Sequence, residues 1–143
     1  MPETTVEAYG RYLFDRRAEA RYIPALPSAD LPRLVRADGS RWEPAPHDCH
    51  VNVSTMCAAI PEWRPVRGWL LFDFIDLLRF TAHSVIALPD GQLCDITPSN
   101  TSRPYPFLAA GIGEPEYCEL IDHWRVQHLD YELATDRVYA QLG

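Results

Sequence analysis

The segment Leu88-Pro89-Asp90-Gly91-Gln92 constrains the fold of this chain more than any other. Pro suits the second position of a type I turn and Asp the third, and Gly takes the left-handed conformation that closes a three-residue hairpin loop. The runs on either side, Phe80 to Leu88 and Gln92 to Thr97, read as strands. A loop of this length sets Leu88 opposite Gln92, and therefore Val85 opposite Asp95. Residues two apart on a strand share a face, so His83 and Asp95 become diagonal neighbours within side-chain reach. A two-residue turn would put them on opposite faces.

Around this hairpin the remaining elements follow from periodicity and punctuation. Thr4-Thr5-Val6-Glu7 has capping-box spacing, and Val6, Tyr9, Leu13 and Ala20 recur at helical intervals, which predicts a helix over 5–21. Pro24, Pro27 and Pro32 forbid regular structure next, so Ile23 to Pro46 reads as an extended wrap. A short hairpin at Asp38-Gly39 joins Leu34-Val35 to Arg41-Trp42. Asp48 to Ile60 reads as a helix stopped by Pro61; its apolar stripe is Val53, Met56 and Ile60, and Cys49 lies on that stripe. Val66 to Phe74 is a strand, with Asp73 and Asp76 solvated near the turn that follows. Ser99 to Pro104 is a polar loop able to form a lip beside a site. Tyr105 to Ala110 reads as a further strand, Pro115 to His123 as a helix with Pro in its first turn, and Tyr131 to Leu142 as a final helix. Trp42, Trp63, Trp69 and Trp124 read as packing residues.

At 143 residues and 47% hydrophobic composition, this reads as one α+β domain. It comprises an N-terminal helix and wrap over 1–46, a core over 47–110 with the cysteine-bearing helix packed on an antiparallel sheet, and C-terminal helices over 111–143. No stretch approaches the roughly 18 apolar residues of a membrane span, and the first residues have no signal-peptide pattern, so we expect a cytoplasmic protein without membrane partners. Net charge is −7 and all 13 basic residues are arginine. Arginines scattered among 20 acids build no positive stripe for phosphate backbones, so nucleic acid is not an expected partner. The absence of lysine excludes lysine Schiff-base chemistry. The cysteines at 49, 57, 94 and 118 show no C-x-x-C pair, and reduced thiols are the simpler reading.

Three residues then carry candidate chemistry. Cys49, at a helix start, gains thiolate character from the helix N-terminus and from a protonated histidine. His83 supplies that histidine, and Asp95 accepts a bond from one ring nitrogen so that the other meets sulfur. Each has a plainer reading: Cys49 as a small buried hydrophobe, and His83 as a core histidine bonded to a carbonyl. A carboxylate inside Leu-Cys-Asp-Ile is costly to bury unpaired, and the turn nominates His83 as its partner. His47, His50 and Asn52, with the Cys49 amide, are candidates for oxyanion or substrate contacts. His47, Cys49 and His50 also raise a small zinc site as an alternative, although their spacing is tighter than the usual ligand pairs. Our expectation is no metal and no cofactor.

Cys49 opening a helix, Ala82-His83 in a strand, and Asp90-Gly91 followed by Asp95 and Pro98 resemble the pattern of papain-like and transglutaminase-like cysteine enzymes. In particular, it resembles the small bacterial papain-like-fold toxin or effector domains. It covers Pro46 to Pro98. The resemblance implies an α+β core with the cysteine helix on an antiparallel sheet. It also implies thiol attack on an amide of a protein or peptide substrate, giving hydrolysis, deamidation or acyl transfer with Cys49, His83 and Asp95 as the triad. The family commonly places a glutamine upstream of the cysteine, and none stands just before Cys49. A non-catalytic binding or immunity-type protein keeping the fold is the alternative from another class.

Overall fold

The structure, a computed structural model, describes residues 3–98 and 105–143. Three α-helices and a mostly antiparallel sheet make it an α+β fold. The chain divides into two compact units, one of Met1–Tyr22, Arg67–His83 and Tyr105–Gly143, the other of Ile23–Val66 and Ser84–Pro104. Among the described residues no helix is long and apolar enough to cross a membrane. The polar loop expected over Ser99 to Pro104, and the Thr4 side chain of the expected capping box, lie outside the described residues.

In the first unit, α1 (Glu3–Asp15) covers a sheet built from residues 67–73 of β3 (Arg64–Asp73), residues 77–83 of β4 (Leu77–Ala87), β6 (Phe107–Ala109), β7 (Val126–Glu132) and β8 (Arg137–Leu142), in the order β6-β3-β4-β7-β8. Pairing Leu78 with Tyr131 and Phe80 with Leu129 sends these four to the core face, where Tyr9, Leu13, Trp69 and Leu108 meet them. Gly68 is required where β3 passes β6, because a Cβ there would collide with the Leu108 carbonyl and the Phe107 ring. Polar atoms inside this core are matched. The Tyr9 hydroxyl donates to the Ala110 carbonyl at 2.7 Å and accepts from the Trp69 indole N–H at 2.8 Å. Burial pushes the Tyr9 phenol well above its ordinary value.

The alternate residues of the same strands carry ionic chemistry. Arg79 grips Asp130 with two bonds of 2.8 and 2.9 Å, and Gln141 donates a third at 2.8 Å. Asp130 is only 3% exposed, and this planar two-pronged contact keeps its buried charge compensated. Two rungs away, Thr81 Oγ1 lies 2.9 Å from His128 Nδ1.

The second unit contains β1 (Leu34–Val35), β2 (Arg41–Trp42), α2 (Cys49–Ala59) and β5 (Leu93–Cys94). Its core joins Leu31, Val53, Met56, Ile86, Cys94 and Ile96. Trp42 and Trp63 pack against it, whereas Trp124 is exposed. The expected Asp38-Gly39 hairpin forms between β1 and β2. The Leu88–Gln92 turn forms as well: Leu88 N–H donates to the Gln92 carbonyl at 2.9 Å, and Gly91 stands at φ 85°. Ile86 pairs with Cys94 and Ala87 with Leu93, and β5 ends there.

Four expectations are corrected. Tyr131 to Leu142 is not a helix; β7 and β8 form a hairpin there. Val126, Leu129 and Tyr131 alternate toward the core only because a bulge between Val126 and His128 resets the phase, which hides the period of two in sequence. The first helix stops at Asp15, not at 21, because Arg21 exchanges backbone bonds of 3.0 and 2.7 Å with Phe107. The strand expected over Gln92 to Thr97 shortens to β5, since Asp95 turns to bridge Ala25 in parallel. The helix near 115–123 is α3 (Glu114–Cys118) followed by a wider π-helical turn, Glu119–His123.

Two outcomes follow from this packing. Tyr9→Phe leaves a buried carbonyl and a buried indole N–H without their partner, and urea unfolding is expected to show a loss of about 2 kcal/mol. Burial, with the Arg79 charge as a smaller cause, holds His128 below its usual range while nearby Asp130 opposes the shift. The unfolded chain therefore takes up the proton first, so stability is full above the unfolded value near pH 6.5 and falls as pH drops below it towards the folded value. Melting curves between about pH 7 and 5 should show this slope in the native chain and a flatter one in His128→Gln.

Candidate active site

Cys49 is the first residue of α2 and is half-buried. His47, exposed and left-handed at φ 61°, turns the chain into the helix. Asp48 occupies the cap position at φ −124° without a side-chain capping bond, so its carboxylate is not used to cap the helix. Cys49 therefore opens a helix whose first-turn amides have no side-chain cap from Asp48.

Two neighbours on α2 are anchored inside the second unit. His50 Nδ1 lies 2.6 Å from the hydroxyl of Ser84, a fully buried residue of β4. Asn52, 2% exposed, accepts from the Ala45 amide at 3.0 Å and donates to the Ala45 carbonyl at 2.8 Å and to Thr97 Oγ1 at 3.1 Å. Both amide hydrogens of Asn52 are therefore engaged. This residue, nominated above as an oxyanion contact, ties α2 to the wrap.

Asp95 belongs to the same unit and is half-buried. Its Oδ1 accepts from the Thr97 amide at 3.1 Å, while its backbone is held by Pro24 and Leu26 at 2.9 and 2.8 Å. His83 belongs to the first unit, on β4, half-buried, with its ring edge toward Phe107 at a centroid separation of 6.3 Å. Its carbonyl accepts from the Tyr117 hydroxyl at 3.4 Å. Cys94 is a contrasting thiol: burial first, then the Asp95 charge, pushes it up to about 11. Among the described residues no group of three or more His, Cys, Asp or Glu side chains is placed to hold a metal ion, and His47, Cys49 and His50 form no such set.

Neither Ser84 as the partner of His50 nor the clamping role of Asn52 emerges from the sequence reading. An amide one turn into a helix that follows a proline-rich stretch is the available signal, since such a stretch leaves backbone groups for a side chain to satisfy. No protein-family model matches the chain, and no curated protein or solved structure matches it.

The second unit contributes a helix-opening thiol, the imidazole of His50 on α2 and the carboxylate of Asp95 just after β5. Asn52→Ala should release the Ala45 backbone and cost about 2 kcal/mol in urea unfolding, with faster amide hydrogen exchange at Ala45 as its local signature.

Proposed function

We propose that this chain is a cysteine-dependent amide hydrolase or acyl transferase with a papain-like or transglutaminase-like core. The observation that carries the reading is Cys49 as the opening residue of α2, its thiol set in the first turn of the helix. The Leu88–Gln92 turn and the Ile86–Cys94 pair, from which Asp95 is nominated as the partner of His83, both form. The mechanism that this set of residues would run is compact. His83 takes the Cys49 proton, the thiolate attacks a carboxamide or peptide carbonyl, and the carbon–nitrogen bond breaks as His83 returns the proton to the departing amine. The resulting thioester then yields to water or to a second amine, activated by the same imidazole. Asp95 fixes the ring orientation and stabilises the imidazolium. The Cys49 amide, with His47 or His50, supplies the oxyanion contact that Asn52 would have to give up its present bonds to provide.

A net charge of −7 favours a neutral or basic protein or peptide as substrate. A reducing cytoplasm suits a nucleophile that must stay a free thiol.

Iodoacetamide alkylation across pH, read cysteine by cysteine by mass spectrometry, tests the reading. Cys49 is expected to react well below pH 7, His83→Ala to move its midpoint up toward the ordinary value near 8.5, and Cys49→Ala to remove the fast site. Cys94 serves as the slow internal reference. A Cys49 that titrates near 8.5 in the native chain sinks the proposal and leaves a non-catalytic binding protein.

A further inference from the structure

The turn between β3 and β4 is built against the preferences of its own sequence. Ile75 stands at φ 76°, in the left-handed region that a β-branched side chain adopts only under strain. It is the centre of a γ-turn in which the Asp76 amide donates to the Phe74 carbonyl at 2.9 Å, a strained form when the central φ is positive. Three further bonds hold it: Ile75 N–H to Asp73 Oδ1 at 2.8 Å, Phe74 N–H to the Leu77 carbonyl at 2.9 Å, and Leu133 N–H to the Asp76 carbonyl at 3.0 Å. The side chain delivered by this arrangement is not used by the fold, since Ile75 is 89% exposed. Phe74 and Leu133 beside it are 49% and 43% exposed. Beneath them Phe72 stacks on Tyr105 at 3.9 Å and on Phe74 at 6.3 Å, which stiffens the base of the knob.

We infer that this tip is a docking knob for a protein partner that offers an apolar pocket edged by lysine or arginine. The charge around the knob selects that occupant. Asp73, Asp76 and Glu132 surround the apolar residues, and none of them forms an ion pair among the described residues. The one guanidinium over the Phe74 ring, from Arg79 at 5.6 Å, is committed to Asp130. A second copy of the chain would bring acids against acids, and an anionic lipid surface would be repelled in the same way. A basic-rimmed pocket answers both the exposed side chain and the carboxylates around it, which hold no ion pair among the described residues. The inference is independent of the activity proposed for Cys49.

Ile75→Asn, in the full chain, separates a binding role from a structural one, because Asn tolerates positive φ and is polar. Its melting temperature is expected to equal or exceed that of the native chain; a lower one would show that Ile75 serves the fold and would overturn the inference. A phage-displayed random peptide library, selected on the native chain and counter-selected on Ile75→Asn, reads the partner chemistry. Enriched peptides should combine Leu, Ile, Phe or Trp with Lys or Arg. Their affinity should fall about ten-fold or more on the variant, and should also fall between about 0.05 and 0.5 M salt. Peptides that bind both chains equally, or that carry no basic residues, would overturn it. So would Ile75-dependent self-association in sedimentation, or Ile75-dependent binding to phosphatidylcholine vesicles.

Discussion

The second unit depends on one buried amide. A wrap interrupted by Pro24, Pro27 and Pro32 cannot satisfy its backbone through long ladders; its regular pairing is a hairpin of two rungs and the Ala25–Asp95 bridge. Asn52 supplies what the ladder does not, meeting the Ala45 amide and carbonyl together and reaching Thr97 with its second hydrogen. Only a carboxamide offers an acceptor and two donors in one plane, so no apolar or charged side chain of similar size replaces it. Cys49 lies one turn earlier on the same helix, and the placement of its thiol inherits the rigidity of that clamp.

In the first unit the corresponding constraint is charge rather than backbone. Asp130 lies at a site that excludes water, and two bonds from Arg79 plus one from Gln141 replace its hydration. The same guanidinium lies over Phe74 and depresses the proton affinity of His128, so one side chain links the sheet face, the base of the turn and a titrating ring. Arginine suits this work because its fork meets a carboxylate bidentately while its plane faces an aromatic ring.

What could be read from the sequence was whatever short-range chemistry decides. Pro89, Asp90 and Gly91 determine their turn locally, and the Ile86–Cys94 register followed directly. Pro61 stopped α2, and Asp38-Gly39 closed the small hairpin, for equally local reasons. Misreadings arose where distant chain overrides local preference. Arg21 leaves its helix because Phe107, far along the chain, offers a strand edge. The β7–β8 hairpin was misread as a helix because a bulge near His128 breaks the alternation by which a strand is recognised. For the candidate site, the helix-opening position of Cys49 was visible in the sequence. The engagement of His50 with Ser84, and the full commitment of Asn52, were not, since both are tertiary bonds between segments that sequence order keeps apart.

The bond from Tyr9 to Ala110 spans 101 residues, and α1 also packs against β8, where Gly10 meets Val138. Non-local closures of this kind carry their entropy cost before any contact compensates it. During synthesis, the apolar face of α1 emerges long before the strands that will cover it. It must wait, with Tyr9 and Leu13 exposed, until β6, β7 and β8 have left the ribosome. Folding of the first unit therefore cannot finish until β8 is available, long after α1 has been made.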